Sequence, residues 1–435
     1  MPAGRVKTSR PCQSDRGQIS KFSRHAVTLT GRTLERLGMH RRSLTFLLVW
    51  MSLVGDVAAA TDAFRPFAEA SIAYDSNLFR VSGAEEALRV FGTTDTSDTI
   101  GILGVGFDSD LSLSRQHVVL HANVDRYNYR QFTNLDYIGG RGNAVWNWRV
   151  GELWNGDIGY GYSQALSSFE YIHAPIKNIV EQQTARANAT FQFNPRWQFT
   201  AAAGWLDLTN SALIQNDRLV TFGELETTFT SLAGTRVGLW GRVTDGEFPN
   251  REVVATSVID NSYRETQLGV LGQWPATGHS ELTGRVGYTV LEYPDLPQRN
   301  FAGPTGRLTY LWQITDKTRL NASLWHDIHW VNDETATYVL DNGGDIGASW
   351  SVTAKVQLRI DVESKRFDYL GDPGLVVSSL EPRVDTIKAA GVSLTYAPLQ
   401  KIQFVVFYKA TNRDSNRPND AYQDRYASAT VHIDF

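Results

Sequence analysis

Hydrophobic and polar residues alternate along most of this 435-residue chain. The alternation recurs from Phe67 onward in segments of about ten residues, and a period of two places successive side chains on opposite faces of a β-strand. In one of the clearest segments, 355–363, the even positions are Val, Leu, Ile and Val, while the odd positions are Lys, Gln, Arg, Asp and Glu. The pattern predicts strands with one apolar face and one polar face.

Eighteen such segments follow one another, and the connections between them alternate in length: short after each even-numbered segment and longer after each odd-numbered one. About ten residues is the length that a tilted strand needs to cross a membrane, and bacterial barrels have even strand numbers, short periplasmic turns and long outer loops. The chain therefore predicts an all-β fold, a transmembrane antiparallel up-and-down β-barrel of about 18 strands. Both termini would lie on the periplasmic side.

Tryptophans lie within a few residues of the predicted short turns, at Trp148, Trp154, Trp197, Trp274, Trp312 and Trp350. Tryptophan collects at membrane–water interfaces, so this placement predicts an interfacial girdle. A secreted β-propeller would also join many short strands, but it would show a repeated motif of about forty to fifty residues, and the chain has none. We therefore favour the barrel.

The last nine residues, Ala427–Phe435, form the final predicted strand. Its odd positions are Ala, Ala, Val, Ile and Phe, and its even positions are Ser, Thr, His and Asp. A closing strand that ends on an aromatic residue resembles those of outer-membrane β-barrels, whose assembly machinery reads such a strand. Phe435 is therefore a candidate assembly residue, and the expected partners are the barrel assembly machinery and outer-membrane lipid.

The amino-terminal region 1–60 has the pattern of a secretory signal. A basic start at Met39–Arg42 is followed by an apolar stretch, 44–54, and then by Ala58, Ala59 and Ala60, which form an A-x-A cleavage site. The true start of translation is either Met1 or Met39. The predicted domains are a signal region, 1–60, and a barrel, 61–435, exported to the bacterial outer membrane.

Removal of the signal region would leave an acidic chain. Residues 1–60 hold 10 of the 42 Lys and Arg and 3 of the 46 Asp and Glu, so the mature chain carries 32 cations and 43 carboxylates, a formal charge of −11. This charge argues against nucleic acid as a partner. The one cysteine, Cys12, is removed as well, which excludes disulfides and thiol chemistry.

Motifs for catalysis are absent from the sequence: it has no GxxxxGK[ST], GxSxG or HExxH. His326 and His329 come nearest to a metal site, but alternation places them on opposite faces of one strand. The acidic run 341–345 is expected to be a solvated loop, with calcium binding as a weaker alternative. We predict a protein that is not an enzyme and has no cofactor and no metal site.

Charged residues of both signs occupy the predicted inward face. The candidate lumen-binding residues are Arg242, Arg285, Arg307 and Arg359. Asp361 and Glu363 share the same wall, so part of the field is cancelled, but uncancelled arginines in a confined lumen would attract anions. The expectation is a weakly anion-selective pore, and a wall of cross-strand salt bridges with no role in transport is the alternative.

The segment Ala73–Arg80, Ala-Tyr-Asp-Ser-Asn-Leu-Phe-Arg, resembles the opening signature of EpsL-type outer-membrane proteins, a group of β-barrel porins. They are encoded with exopolysaccharide biosynthesis systems of the exosortase and PEP-CTERM type. The resemblance implies a role in polysaccharide export, with polysaccharide and periplasmic export proteins as partners, and it supplies no catalytic residues. The tripeptide Asp75, Ser76, Asn77 recurs near the carboxyl end as Asp414, Ser415, Asn416, and we interpret the pair as two similar turns on one rim.

Three functional hypotheses follow. The first is an outer-membrane barrel that takes part in exopolysaccharide export as a conduit. The second is a general small-solute porin, and the third is a barrel enzyme that modifies polysaccharide. The sequence does not decide whether a loop plugs the lumen.

Overall fold

The computed structural model describes residues 63–170, 176–250, 252–254, 257–331, 336–371 and 381–435. In these residues the alternating segments form eighteen strands of one sheet, and two short strands form a separate hairpin. In chain order the elements are β1 (Phe64–Asp75), α1 (Ala84–Phe91), β2 (Asp98–Leu113), β3 (Gln116–Tyr129), β4 (Tyr137–Val150), β5 (Trp154–Leu166), β6 (Ile179–Gln192), β7 (Trp197–Asn210), β8 (Arg218–Thr230), β9 (Arg236–Glu247), the hairpin β10 (Glu252–Val254) and β11 (Ser257–Ile259), β12 (Tyr263–Thr277), β13 (Ser280–Glu292), β14 (Phe301–Thr315), β15 (Thr318–Trp330), β16 (Tyr338–Thr353), β17 (Val356–Leu370), β18 (Val384–Leu399), β19 (Ile402–Ser415) and β20 (Tyr422–Asp434). Short 3₁₀ turns lie in loops at Thr133–Leu135, Ile214–Asn216, Pro297–Arg299 and Pro418–Asp420.

The sheet closes on itself. Each long strand pairs antiparallel with the next along the chain, and β9 pairs with β12 across the inserted hairpin. β1 pairs with β2 on one side and with β20 on the other, from Phe67 opposite Asp434 to Asp75 opposite Tyr426. The first and last strands therefore satisfy each other's backbone groups, and no strand edge is left open. The closed antiparallel barrel of 18 strands is confirmed.

The outer face of the barrel is apolar, as the alternation predicts. Leu103, Val105, Leu268 and Leu324 are each more than 60% exposed on this face, which is typical of side chains that meet lipid. Large exposed aromatic residues near the short turns include Trp154, Trp197, Trp274, Trp312 and Trp350. A monomeric soluble protein does not normally expose an apolar surface of this extent to water.

The two ends of the barrel differ in their connections. One end has turns of a few residues, such as 114–115 and 400–401, and the other has longer loops, such as 76–97 and 293–300. Both chain ends of the barrel, Phe64 and Phe435, lie at the end with the short turns. We call the opposite end, with the longer loops, the mouth.

One sequence interpretation changes in the structure, and one strand departs from simple alternation. The run 341–345, expected to be a loop, lies inside β16 and pairs with β15 and β17. In β8, Val220 and Phe222 share the inward face with Glu224 and Glu226, so apolar and charged residues do not alternate regularly there. The aromatic ring has a reason to face inward, because the Arg242 guanidinium lies 4.0 Å from the centre of the Phe222 ring.

The predicted signal region 1–60 and the alternative start at Met39 lie outside the described residues. None of the helices that the structure describes is long and apolar enough to cross a membrane.

Candidate functional site

The candidate site is the inner wall of the barrel and its mouth. Because side chains alternate, the inward face of each strand is the one opposite the exposed apolar residues. Arg242, Arg285, Arg307 and Arg359 all have inward positions, on β9, β13, β14 and β17. The structure therefore places all four predicted lumen residues on the predicted face, but it does not leave them equally free.

Arg285 is held in a cluster of opposite charge. Its Nη2 lies 2.6 Å from Glu226 Oε2 and 3.2 Å from Glu224 Oε1, although both carboxylates are on β8, three strands away around the wall. The guanidinium also lies 4.9 Å from the centre of the Trp240 ring on the intervening strand β9. Arg242 joins the same cluster through Glu224 at 3.6 Å.

Arg359 is also neutralised, by its neighbour on the same strand face. Its Nε and Nη2 each donate a hydrogen bond of 2.7 Å to the two oxygens of Asp361, a bidentate pair. Arg307 differs from the other three. It is exposed, it forms no ion pair within the described residues, and its guanidinium lies 4.7 Å from the centre of the Trp325 ring.

The inner wall is divided by charge into two halves of nine strands. The basic half, β4–β9 with β12–β14, has eight inward arginines and five inward carboxylates, a net charge of +3. The acidic half, β15–β20 with β1–β3, has six inward Lys and Arg and fourteen inward Asp and Glu, a net charge of −8. The basic half contains Arg141, Arg149, Arg186, Arg218, Arg236, Arg242, Arg285 and Arg307, with Asp157, Glu224, Glu226, Glu265 and Glu281. The acidic half contains Arg65, Arg319, Arg359, Lys365, Lys409 and Arg413, with Glu69, Asp75, Asp98, Asp108, Asp110, Asp125, Asp327, Asp341, Asp345, Asp361, Glu363, Asp385, Asp424 and Asp434.

Histidines lie beside carboxylates of the acidic half near the short turns. His117 lies 2.6 Å from Asp110, His121 lies 2.8 Å from Asp108, and His432 lies 3.3 Å from Asp434. These histidine–carboxylate pairs could not be predicted from the sequence, because their residues come from three strands, β2, β3 and β20, at opposite ends of the chain. Elsewhere on the wall, His326 and His329 point to opposite faces as predicted, since β15 continues to Trp330. In the part of the chain that the structure describes, no group of three or more His, Cys, Asp and Glu could hold a metal ion.

At the mouth, the β1–β2 loop, 76–97, folds against the inner wall. Phe79 is 1% exposed, and its ring contacts those of Phe91, Phe132 and Phe169 at 4.0, 4.7 and 4.9 Å. The same hydrophobic cluster includes inward-facing wall residues of β1, β2 and β3, namely Ala73, Ile100 and Tyr129. The loop therefore narrows the lumen at this end.

Helix α1 belongs to this loop and is defined by local signals. Ser82 donates from its backbone N–H and its hydroxyl to Glu86 Oε2, each at 2.7 Å, just before the first turn. The helix ends at Gly92, which has the left-handed φ of 70° that glycine adopts without strain. Ala87, which is 1% exposed, packs into the cluster around Phe79.

Ion pairs fasten the loop to the wall. Arg80 donates to both oxygens of Asp75 at 2.9 Å, and its Nη1 lies 3.3 Å from Asp424 on β20. Burial lowers the pKa of the Arg80 guanidinium, but the hydrogen bond to Asp75 and the charges of Asp75 and Asp424 outweigh it, so the net shift is upward and the group stays charged.

A second network, with a buried centre at Asp385, lies beside it. Asp385 is 0% exposed and accepts hydrogen bonds from Arg383 at 2.8 Å and from Arg413 at 2.8 Å. Arg413 also contacts the Tyr369 hydroxyl, and its Nη1 lies 3.2 Å from Glu170, which belongs to the loop after β5. Sequence reasoning missed this network, because its members share no motif and lie as far as 243 positions apart.

The two Asp-Ser-Asn tripeptides lie close to one another but have different roles. Ser76, Asn77 and Asp414 line one cavity of about 400 Å3 at the mouth. Asp75 Oδ1 accepts the backbone N–H of Asn77, an Asx turn, and Asn77 donates to Val81 O and Gln423 O.

In the second copy, Asp414 is exposed on the outward side of β19, and Ser415 Oγ accepts the backbone N–H of Arg417. Asn416 pairs with the backbone at Val384 and Pro382. Both copies lie at the mouth, but the turns are not alike. The first begins at Asp75, the inward-facing last residue of β1, and the second begins at Asp414, an outward-facing residue one position before the end of β19.

Phe435 follows the last strand at the short-turn end. Its backbone N–H donates to Pro66 O at 2.9 Å, and its side chain is 66% exposed. Because the ring is mostly exposed, its packing does not test the assembly role of Phe435, which stays a prediction.

The scan against protein-family models finds no match, and no curated protein matches the chain. Solved structures that are similar include OccK2 (OpdF) of Pseudomonas aeruginosa in complex with glucuronate, at 10% identity and a TM-score of 0.49, with 86% of this chain and 98% of that chain covered. A BenF-like porin from Pseudomonas fluorescens has 9% identity and a TM-score of 0.49, with 86% and 99% covered. The siderophore receptor PirA from Pseudomonas aeruginosa has 7% identity and a TM-score of 0.43, with 86% and 80% covered. The barrel fold rests on the closed strand ladder and not on these similarities, and the resemblance to EpsL-type proteins stays a prediction.

Proposed function

We propose that the chain is an outer-membrane channel for small solutes and that it prefers cations. The observation that carries the proposal is the separation of faces on a closed barrel of 18 strands, apolar outside and charged inside. A barrel of this size leaves room for water along its axis. A soluble protein gains nothing from an apolar exterior, whereas a membrane protein requires it.

Cation preference follows from the sum of the wall charges. The two halves add to −5, and the loop arginines Arg80 and Arg383, which pair with Asp75 and Asp385, reduce this to −3. Anion preference was expected from four arginines, but three of them are paired with carboxylates of the same wall. Of these four arginines, Arg307 alone has no ion pair among the described residues. The other unpaired wall cations are already included in the sum, which stays negative.

The test is conductance of the purified protein in a planar bilayer, with the reversal potential measured under a potassium chloride gradient. We expect discrete conductance steps and a reversal potential displaced towards that of potassium. Neutral sugars of increasing size, followed by swelling of liposomes, would give the size limit. An absence of conductance in heat-modifiable, folded protein would contradict the channel, and a displacement towards chloride would contradict the selectivity.

Exopolysaccharide export remains a second candidate that rests on the segment Ala73–Arg80. In the structure this segment has a local role, because Asp75, Asn77 and Arg80 fasten the β1–β2 loop to the wall. Loss of extracellular polymer in a deletion strain, with small-solute uptake unchanged, would favour export over general diffusion. Polymer of normal yield but altered length would favour the third hypothesis, an enzyme.

A further inference from the structure

Cations on the outward face of the barrel are distributed unevenly. Five occur on the outward positions of the described barrel strands: Arg126, Arg264, Arg366, Lys388 and Arg425. Arg264 is paired with Asp245 at 2.7 Å, and Arg366 with Asp368 at 2.9 Å. The other three form no ion pair within the described residues, and all three lie in the sector from β18 through β20 and β1 to β3.

Each of these three cations lies near the mouth end of its strand. Arg126 is three residues before the end of β3, Arg425 is three residues after the start of β20, and Lys388 is four residues after the start of β18. In the proposed orientation this end faces outward from the cell, so the three lie at the level of the outer-leaflet headgroups. A lipid-facing arginine is costly at the midplane but costs little near the interface, where headgroups can pair with it.

Arg126 borders a groove in the lipid-facing surface. The groove has a volume of about 420 Å3 and is lined mainly by apolar residues of β20, β1, β2, β3 and β4. Glu69 also belongs to the lining, at an inward position of β1. Its depth comes from Ala68 and Ala70, whose short side chains lie between the larger Leu103 and Val431 of the neighbouring strands. Arg126 donates from Nε to Asn128 at 3.0 Å, and no hydrogen bond from its terminal amino groups is found within the described residues.

We infer that this groove and Arg126 bind a phosphorylated lipid of the outer leaflet, with an acyl chain in the groove and a phosphate on the guanidinium. The charge of the sector selects the headgroup, because an anionic phosphate complements unpaired cations and a zwitterionic headgroup brings its own cation. The inference rests on insertion into the outer membrane but not on solute passage, so it survives if the chain conducts nothing.

The experiment is a lipid titration of the delipidated, folded barrel in detergent, followed by native mass spectrometry. The probes are a bisphosphorylated glycolipid, the same glycolipid after dephosphorylation, and phosphatidylcholine. We expect the wild type to bind the phosphorylated glycolipid in a 1:1 complex and at least about fivefold more tightly than either of the others, since one surface cation contributes about a factor of five. Equal binding of the three probes would overturn the proposal without any variant.

Variants then locate the site. Arg126→Gln should lose about fivefold in affinity for the phosphorylated probe, Arg126→Lys should keep most of it, and Ala70→Phe should weaken binding of all acyl chains by filling the groove. Arg264→Gln is the matched control, because Arg264 is an outward arginine near the mouth that already has a carboxylate partner. Equal losses in Arg126→Gln and Arg264→Gln would place the lipid elsewhere.

Discussion

Ion pairs at the mouth and on the wall below it contain the same residue types but differ in burial. Asp385, Arg383 and Arg413 at the mouth are 0 to 3% exposed in their side chains, whereas Arg285 on the wall is 42% exposed and its partner Glu226 is 19% exposed. Water screens the wall pairs and barely reaches the mouth pairs. The mouth pairs therefore hold loops in place, and the wall pairs chiefly set the field that a solute would meet.

A related contrast separates stability from assembly. The mouth is held by buried contacts, whereas Phe435 at the opposite end is largely exposed and contributes one backbone hydrogen bond. Residues that matter to the folded barrel and residues that matter to its insertion can therefore lie at opposite ends.

The largest loss of folded barrel is expected from Phe435→Asp. The protein should cross the inner membrane, fail to insert, and be degraded in the periplasm, because the closing strand would lack its aromatic end. Heat-modifiable migration on a gel measures the folded fraction. A full shift in this variant would show that the assembly machinery does not recognise the closing strand through Phe435. Phe404→Asp, on the neighbouring strand β19, is the comparison, because it places a charge in lipid and leaves the closing strand unchanged.

At the mouth, Asp385→Asn should destabilise the folded barrel by about 3 to 5 kcal/mol, because it leaves the buried cations Arg383 and Arg413 without their shared carboxylate. Denaturant unfolding of the barrel in detergent measures the change. The wall counterpart, Arg285→Gln, should cost about 1 kcal/mol or less, since its partners are partly solvated. Similar costs for the two would contradict the distinction between mouth and wall.

On the strand face, Leu358→Arg should destabilise the folded barrel more than Gln357→Arg, because only the first places a charge on the lipid-facing side. The cost should stay below the roughly 2 to 4 kcal/mol of a midplane position, since Leu358 lies opposite Trp350 of the girdle. Ile360 and Val362 on the same face are 46% and 52% exposed, which supports the assignment of Leu358 to the outside. Folding yield into lipid vesicles distinguishes the two variants. Equal yields would show that the faces of β17 are assigned wrongly.

The smallest effect is expected on selectivity. Arg307→Glu should raise the preference for potassium over chloride by roughly twofold, because it reverses the one predicted lumen arginine that has no ion pair among the described residues. The double variant Arg285→Glu with Arg307→Glu should shift the reversal potential further in the same direction. Arg264→Gln, on the outward face, is the control and should leave it unchanged. If reversing two wall charges has no effect, the arginines play no part in conduction.

The sequence predicts much of the fold because the relevant signal is local. A residue and its neighbour two positions away share a face, so 355–363 or 427–435 identifies its own strand without reference to the rest of the chain. The strand count, the alternation of turns and loops, and the inward placement of Arg242, Arg285, Arg307 and Arg359 all follow from this rule. The rule fails at 341–345, where acidic and glycine residues that favour loops lie inside β16, because pairing with two neighbouring strands outweighs their weak intrinsic preference.

What the sequence by itself determines is which face each side chain takes; what only the tertiary structure decides is which side chains meet. Alternation places Arg285 in the lumen, but its pairing with Glu224 and Glu226 depends on the strand order β8, β9, β12, β13 and on the insertion of a hairpin between them. In the same way, Glu170 and Arg413 come together only because the barrel closes. The physical reason is range: backbone geometry fixes alternation within a few residues, whereas ion pairs depend on distances of a few ångströms between residues hundreds of positions apart.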